Sequence, residues 1–356
     1  MLASDLSVFI GTYTRNSPSR GIYHARIDPA SGELKSVSLA TEMQNPSFIA
    51  FSLDGRFAYA IQEGSPEGNL VAFAVDDTGG FTELNSVPSS GAGACHVSIT
   101  QDQRFVLVAN YSGGNAAVFR IGEHGDIDER TSLVELSGSG PDPDRQKGPH
   151  AHSIHASADS RNVYVCDLGT DQIWIYQLDD TGTLSPADPP VARVPPGAGP
   201  RHLAFHPNGK WIYVINEMGL SVTVFERNVV TGHLALLATV AMHDPGARPD
   251  SAKGAEVACS PDGRFLYASS RGDDTLSVFE IAEDGMPVLR ANLPTGVKTP
   301  RHFAIDPSGG WLIVGGQDDD KVVIRELDTE TGLPGEVRSS AVIGSPVCFK
   351  FRPSGE

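Results

Sequence analysis

One segment, residues 200–225, repeats along the whole chain and restricts the fold more than any other feature. Two short apolar runs in it are joined by an Asn-Gly pair and followed by a third β-rich run. Asn-Gly between apolar runs predicts a tight antiparallel hairpin, so the first run starts beside the place where the second ends. This geometry puts Arg201 and His202 close to Asn216 and Glu217.

The same unit occurs seven times. The positions that we align with His202 are Phe48, His96, His152, Glu256, His302 and Cys348, at separations of 46 to 56 residues. Repeats of this period are typical of propellers and solenoids. Each copy contains four short β-rich runs, as a propeller blade does. The sequence therefore predicts an all-β, seven-bladed β-propeller with four antiparallel strands in each blade.

The seventh blade is divided between the two ends of the chain. Residues 345–351 look like a first strand with nothing after it, whereas 7–13 and 21–27 look like a second and a third strand. Pairing 345–351 with 7–13 would close the ring and remove exposed edges that promote aggregation. Gly and Pro are dispersed over the turns and form no linker, so we expect one domain over residues 1–356.

Charge and composition exclude several classes of protein. A net charge of −17 argues against general nucleic-acid binding, which needs a basic surface. No window approaches the roughly eighteen apolar residues of a membrane span, and the first residues lack the pattern of a secretory signal. The four cysteines lie in separate β-rich runs without metal-ligand spacing. We expect a cytoplasmic monomer or weak homodimer with no membrane or nucleic-acid partner.

Two insertions indicate which face of the propeller binds a ligand. Residues 137–148 precede blade three and residues 243–254 precede blade five, and they account for the two longest spacings. Both lead into a first strand, so both belong to the face where first strands begin. Loops of varied length on a rigid scaffold commonly carry binding residues. The Asp-Gly turns belong to the opposite face and are structural, because Gly accepts the positive φ of such turns.

Polar residues are unusually numerous on the predicted binding face. Hydrogen bonding at strand ends is the simpler explanation for His96, His202 and His302, which recur at one repeat position. Residues confined to one blade, such as Glu217 and Arg271, suit acid–base chemistry on an anionic substrate. The strand starts provide His96, His150, His152, Arg201, His202, Glu256, Arg301 and His302, and the strand ends provide Glu63, Tyr111, Asp167, Glu217, Arg271 and Gln317.

Several motifs around these residues resemble the propeller-type lactonase family, which includes bacterial 6-phosphogluconolactonases and fungal carboxy-muconate cyclases. The resemblance covers nearly the whole chain. Its motifs are Gly-Thr-Tyr-Thr at 11–14, Ala-Asn-Tyr-Ser-Gly-Gly at 109–114, Pro-His-Ala-His-Ser at 149–153, Gly-Pro-Arg-His-Leu-Ala-Phe-His-Pro-Asn-Gly at 199–209, Ile-Asn-Glu at 215–217 and Ser-Arg-Gly at 270–272.

The resemblance implies a set of site residues. The family's catalytic residues correspond to His152, Arg201, Glu217 and Arg271, with His150 as a substitute for His152. For hydrolysis, Glu217 or His152 would activate water, Arg201 would stabilise the oxyanion and Arg271 would bind a substrate anion. No metal or other cofactor is implied. Further substrate contacts are expected from His150, His96, Tyr111, Asp167, His202, Arg301 and Gln317.

Three functions are compatible with these residues. The first is hydrolysis of the small anionic sugar lactone 6-phosphogluconolactone to 6-phosphogluconate, a step of the pentose phosphate pathway. The second is a carboxy-muconate cyclase, and the third is a non-catalytic propeller that binds a protein. Few aromatic anchors, chiefly Tyr13 and Tyr111, are available for a protein partner. Ser270 and the Gly-Gly-Gln at 315–317 depart from the residues usual in the family, and both bear on substrate preference.

Overall fold

Every strand belongs to one of seven four-stranded antiparallel sheets in the computed structural model, which describes residues 4–244 and 251–353. These two ranges contain 28 strands, and no helix in them is long and apolar enough to cross a bilayer. Residues 245–250 of the second predicted insertion, and residues 1–3 and 354–356 of the predicted domain, lie outside the described residues. The predicted seven-bladed propeller is confirmed.

The first three blades follow one another along the chain. In each blade the strands are hydrogen-bonded in chain order, from an inner strand at the central channel to an outer strand at the rim. Blade one contains β4 (Phe48–Phe51), β5 (Phe57–Gln62), β6 (Asn69–Val75) and β7 (Phe81–Pro88). Blade two contains β8 (Ala94–Ile99), β9 (Phe105–Asn110), β10 (Asn115–Ile121) and β11 (Ile127–Glu135). Blade three contains β12 (Ala151–Ala156), β13 (Asn162–Asp167), β14 (Gln172–Leu178) and β15 (Leu184–Arg193).

The next three blades have the same order. Blade four contains β16 (Pro200–Phe205), β17 (Trp211–Asn216), β18 (Ser221–Arg227) and β19 (Leu234–Ala241). Blade five contains β20 (Lys253–Cys259), β21 (Phe265–Arg271), β22 (Thr275–Ile281) and β23 (Pro287–Pro294). Blade six contains β24 (His302–Ile305), β25 (Trp311–Gly316), β26 (Lys321–Leu327) and β27 (Pro334–Val342).

Blade seven joins the two ends of the chain. Its inner strand is β28 (Pro346–Phe351), which pairs with β1 (Leu6–Thr12) in the register Gly11↔Cys348 and Ile10↔Phe349. The predicted closure by 345–351 and 7–13 is therefore confirmed. The rest of the blade consists of β1 (Leu6–Thr12), β2 (Gly21–Ile27) and β3 (Leu34–Glu42).

The core lies between neighbouring blades, because each sheet packs one face on the blade before it and the other on the blade after it. The second strands are the most deeply buried, and every residue of β9, β13 and β17 is buried. Tyrosines on second strands connect the blades, since Tyr59 and Tyr164 donate hydrogen bonds of 2.9 Å to Gly125 O and Gly232 O of the next blade. Outer strands such as β19 are mostly exposed instead.

The hairpin turns between inner and second strands lie on the face opposite the cavity described below. In blade one, Ser52 Oγ donates to Asp54 Oδ1 at 2.6 Å, and Asp54 Oδ1 accepts from Arg56 N at 3.0 Å. Gly55 completes the turn with a φ of 65°, a value that residues with a Cβ rarely adopt. These contacts satisfy the turn's own polar groups, as the structural interpretation of these turns predicts.

Candidate active site

A β-bulge at the start of several inner strands adds one extra residue near the mouth of the channel. The register of the inner strand against the second strand shifts between Ala94 and His96, between Ala151 and Ser153, and between Pro200 and His202. Such a bulge places two residues opposite one and re-aims a side chain. The residues at these three bulges are Cys95, His152 and Arg201, and similar shifts in blades five and seven leave Ala255 and Val347 in this position.

The bulge corrects our alignment of blade three. His202 pairs with Ile215 and His96 with Ala109, and the equivalent residue of blade three is Ser153, which pairs with Cys166. Aligning His152 with His202 was therefore wrong by one residue, because His150-Ala-His152 offers two imidazoles and the bulge leaves no trace in the apolar pattern. His152 is instead the equivalent of Arg201.

The same shift moves Asp167 out of the ring of strand-end residues, where Leu168 takes its place. Asp167 is fully buried, and its Oδ1 accepts from His150 N and Gly169 N at 2.7 and 3.0 Å. Its Oδ2 accepts from Thr170 Oγ1 and Trp174 Nε1 at 2.7 and 3.2 Å. Asp167 therefore holds the backbone behind His152, and it does not line the cavity.

The bulge residues and the strand-end residues together surround a cavity of about 380 Å³. A second cavity of about 540 Å³ lies beside it and shares Tyr13 and Glu63 with it. Most of the side chains that can transfer protons or bind an anion line the smaller cavity, so this cavity is the candidate active site. It is lined by Tyr13, Glu63, Gly93, Cys95, Tyr111, Ser112, Arg145, His152, Glu217, Lys253, Arg271 and Arg301.

Glu217 is the centre of the charged network in this cavity. Its Oε1 accepts from Arg145 Nη2 at 2.8 Å, and its Oε2 accepts from Arg271 Nη2 at 2.8 Å. Arg201 Nε lies 3.4 Å and His152 Nε2 lies 3.9 Å from the same Oε2. Burial alone would raise the pKa of Glu217, but the neighbouring cations outweigh it and hold this pKa far below its ordinary value. Glu217 is therefore a carboxylate anion.

Arg201 is almost completely buried, with 2% of its surface exposed, and it does not line this cavity but a space of about 10 Å³ beside it, which His152 and Arg301 also line. Its Nη1 donates to Ala255 O at 2.5 Å and lies 3.3 Å from His202 Nε2. Burial, followed by the charges of Arg301 and Arg271, lowers the pKa of Arg201 to about 9. The guanidinium therefore keeps its charge at neutral pH in a fixed orientation.

Two arginines besides Arg145 line the cavity. Besides its hydrogen bond to Glu217, Arg271 donates from Nη2 to Gly254 O at 3.3 Å. Burial lowers the pKa of Arg271. Arg301 stacks on the ring of Tyr13, with 5.6 Å between the guanidinium carbon and the ring centroid. Within the described ranges, no protein group accepts a hydrogen bond from the Arg301 side chain. This guanidinium is available to an anionic ligand.

His152 is the imidazole in contact with this network. It is 4% exposed, and its Nδ1 is buried with no hydrogen-bond partner among the described residues. Burial, followed by the charge of Arg201, lowers the pKa of His152 well below 6.5, so the ring is neutral at pH 7. A neutral imidazole beside a carboxylate can accept a proton and have the resulting charge stabilised.

Besides Asp167, four residues predicted to contact substrate lie outside the smaller cavity. His96 is buried against Phe48, with 4.2 Å between the ring centroids, and His202 is hydrogen-bonded behind Arg201. His150 stacks on Tyr111 and donates from Nδ1 to the Tyr111 carbonyl at 3.0 Å, so it supports the cavity wall. The fourth, Gln317, lines the larger cavity.

Arg145 is the main site residue that the sequence did not reveal. It belongs to the insertion 137–148, and besides Glu217 it donates to the hydroxyl of Tyr111 at 3.2 Å. The next residue fixes the loop, since fully buried Gln146 donates to Leu168 O and Asp171 Oδ1 at 2.8 Å. A single arginine in a loop rich in Gly, Pro and Asp was the available signal. Tyr13 and Lys253 also line the cavity but were not assigned to it.

Metal and thiol chemistry find little support in the described part of the chain. No group of three or more His, Cys, Asp and Glu side chains in it could hold a metal ion. Burial, followed by the charge of Glu63, raises the pKa of Cys95 to about 12. The Cys95 thiol donates to the carbonyls of Ala151 and His152 at 3.4 and 3.2 Å, so it is a protonated structural group.

Comparison with solved structures finds proteins with the same overall fold. A periplasmic gluconolactonase from Pseudomonas aeruginosa has a TM-score of 0.92 at 28% identity, covering 98% of this chain and 99% of its own. A Bacteroides fragilis protein with a provisional 6-phosphogluconolactonase assignment has a TM-score of 0.91 at 34% identity, covering 99% of both chains.

Sequence comparison identifies the family of this chain. The 6-phosphogluconolactonase of Bacillus subtilis (strain 168) is 33% identical over 345 residues, which cover 96% of this chain and 97% of that protein. The family model described as "Lactonase, 7-bladed beta-propeller" matches residues 7–351. With its seven closed blades and a cavity of arginines around one carboxylate, this chain belongs to the seven-bladed β-propeller lactonase family.

Proposed function

We propose that this protein hydrolyses the lactone ring of a phosphorylated sugar acid, with 6-phosphogluconolactone as the substrate. The observation that carries the proposal is an excess of cations around one small cavity. Two carboxylates, Glu63 and Glu217, meet five cations there, four of which line the cavity while Arg201 is buried against Glu217, although the whole chain has a net charge of −17. Clustered like charges are unfavourable unless an anion compensates them, and the phosphate of the substrate would do so. The five cations are Arg145, Arg201, Lys253, Arg271 and Arg301.

The chemistry begins with attack of a water molecule on the lactone carbonyl. We assign His152 as the proton acceptor, because its imidazole is neutral and the residue lines the cavity. Glu217 is less suitable, since both of its oxygens already accept hydrogen bonds from arginines. As an anion 3.9 Å from His152 Nε2, it stabilises the imidazolium that forms. The imidazolium then returns the proton to the ring oxygen as the C–O bond breaks, which gives the hydroxy acid.

Arg201 is assigned to the developing oxyanion. Its guanidinium is fixed by Ala255 O and remains charged at neutral pH. A well-placed donor to an oxyanion lowers the barrier by about 3–4 kcal/mol. The same guanidinium would next face the product carboxylate, so Arg201 contributes to both turnover and product binding.

The phosphate group requires cations that are not already paired. Arg301 and Lys253 fit this requirement, because neither has a carboxylate partner within 4 Å in the described part of the chain. Arginine presents paired donors that match phosphate oxygens. A phosphorylated substrate is confined to the cell interior, so the proposal places the activity in the cytoplasm.

The experiment is an assay with freshly prepared 6-phosphogluconolactone, corrected for spontaneous ring opening. We expect kcat/KM to be at least about tenfold higher than for unphosphorylated gluconolactone, since paired contacts to a charged group are each worth more than about 1.4 kcal/mol. Equal rates on the two lactones would reassign the protein to neutral lactones. Activity only on a carboxy-muconate would reassign it to the cyclases.

A variant separates phosphate recognition from turnover. Arg301→Met should raise KM for the phosphorylated lactone about tenfold or more and change KM for gluconolactone less than about threefold. Arg264 is a matched control, since it stacks on Phe265 and donates to the Thr329 carbonyl, away from the cavity. Arg264→Met should leave both values unchanged. Equal losses on both lactones in Arg301→Met would place Arg301 at the reacting carbonyl instead.

A further inference from the structure

A buried carboxylate and a buried imidazole lie directly behind Arg201. Glu256 Oε2 lies 2.9 Å from Nδ1 of His202, and the two residues are 8% and 3% exposed. Neither residue lines the 380 Å³ cavity. The pair therefore has no direct access to a ligand there, and its effect on that ligand has to pass through another group.

The contact with Glu256 determines which nitrogen of His202 carries the proton. An ionised carboxylate only accepts hydrogen bonds, so His202 Nδ1 must be the donor. Burial, followed by the charge of Arg201, lowers the pKa of His202 well below 6.5, so the ring carries a single proton at pH 7. Nε2 is therefore a lone-pair acceptor, and Arg201 Nη1 lies 3.3 Å from it.

Arg201 is consequently held along one edge of its guanidinium. Nη1 donates to Ala255 O at 2.5 Å as well as towards His202 Nε2, and Nε lies 3.4 Å from Glu217 Oε2. Among the described residues, no group accepts a hydrogen bond from Nη2. The protein thus fixes the orientation of the guanidinium and leaves one of its nitrogens for a ligand.

We propose that Glu256 and His202 are positioning residues that orient Arg201 towards the oxyanion. The inference rests on the proposed lactonase function for its effect on rate, but the hydrogen-bond chain itself stands independently of it. Glu256 fixes the tautomer of His202, and His202 Nε2 fixes Nη1 of Arg201. The alternative tautomer would put an N–H of His202 against the N–H groups of Arg201, where neither could accept.

Two substitutions at His202 separate its two hydrogen bonds. In His202→Asn the amide nitrogen takes the place of Nδ1 at Glu256, and nothing replaces the Nε2 acceptor. In His202→Gln the amide oxygen reaches the place of Nε2 and can accept from Arg201. We expect kcat to fall on the order of tenfold or more in His202→Asn, with KM within about twofold, and to recover partly in His202→Gln.

His302 provides the matched control. Its Nε2 lies 3.2 Å from the same Glu256 Oε2, but it makes no hydrogen bond to Arg201. His302→Asn should therefore lower the melting temperature about as much as His202→Asn while kcat stays within about twofold of the parent. If both Asn variants lose kcat equally, or if His202→Asn keeps kcat, the positioning role is refuted.

A spectroscopic measurement tests the tautomer without relying on turnover. The ¹⁵N resonances of His202, identified by their loss in His202→Asn, should show protonated Nδ1 and unprotonated Nε2 between pH 6.5 and 8. Protonated Nε2 in the parent protein would overturn the inference even if the enzyme is active. If the parent opens no lactone, the proposed function fails, and the ¹⁵N spectrum still decides whether the Glu256–His202–Arg201 chain exists.

Discussion

The contacts of Glu217 allow the effect of one substitution to be worked out in detail. Glu217→Gln keeps the size of the side chain but leaves one oxygen where there were two. In the parent, one oxygen accepts from Arg145 and the other from Arg271, both at 2.8 Å. The amide nitrogen of Gln cannot accept, so one of these guanidiniums loses its partner in a site where Glu217 is only 4% exposed.

The loss should be visible in the melting temperature. Removing one partner of a buried ion pair costs about 3–5 kcal/mol. Unfolding entropy of about 2.1 cal/mol/K per residue gives about 0.75 kcal/mol/K for a chain of 356 residues. The melting temperature of Glu217→Gln should therefore fall by roughly 4–7 °C, which differential scanning calorimetry resolves easily.

Turnover and ligand binding should change in opposite directions. Without the Glu217 charge, the His152 imidazolium is not stabilised, so kcat should drop by about two orders of magnitude or more. The cavity also becomes one charge more positive. Binding of the product 6-phosphogluconate, measured by titration calorimetry, should be at least as tight as in the parent.

Glu63 is the matched control for Glu217. It holds the equivalent strand-end position in blade one and lines the same cavity, but no described residue forms an ion pair with it. Glu63→Gln should therefore keep the melting temperature within about 2 °C. Turnover of Glu217→Gln within tenfold of the parent, or a melting temperature equal to that of Glu63→Gln, would refute Glu217 as the centre of the network.

Three other predictions concern the channel, the ring closure and the thiol. Stability should fall as the pH drops below 6.5, because buried imidazoles with a lowered pKa bind no proton in the fold but bind one when unfolded. His155, with a pKa of about 3, is one such group. His155→Leu should therefore reduce the slope of the unfolding free energy against pH, followed by thermal melts, by up to about 1.4 kcal/mol per pH unit. Deleting residues 345–356 removes β28 and exposes the edge of β1, so solubility should fall sharply; a truncated chain as soluble and stable as the parent would contradict the closure. Cys95→Ser should keep kcat within about twofold in the lactone assay, because the thiol is protonated; a tenfold loss would assign Cys95 a chemical role.

The architecture could be predicted from the sequence because each blade repeats one local pattern. Apolar runs and Asp-Gly or Asn-Gly turns at a constant period determine strand order within a blade. The closure by residues 345–351 followed from the same pattern, since an unpaired first strand at one end of the chain matched an unpaired second strand at the other. Glu217 and Arg271 were located at the cavity because both end a second strand.

The remaining features depend on contacts that have no local pattern. The bulge at His152 shifts the register by one residue without changing the apolar run, so Asp167 was assigned to the cavity when Leu168 holds that position. Arg145 lies in an insertion outside the repeat, and it meets Glu217 across 72 residues of sequence. Contacts of this kind depend on how a loop folds over its neighbours, which a period of about 50 residues does not describe.

The inner-strand bulges have a consequence for how this scaffold can acquire new chemistry. A bulge residue takes no part in the regular ladder, so its side chain can change while the hydrogen bonds between the strands remain. The chain already uses this freedom, with a thiol at Cys95, an imidazole at His152, a guanidinium at Arg201 and an aliphatic group at Val347. Cys95, which lines the cavity, is therefore a position where a designer could place a new acid, base or ligand-binding group at the mouth of the channel without rebuilding a blade.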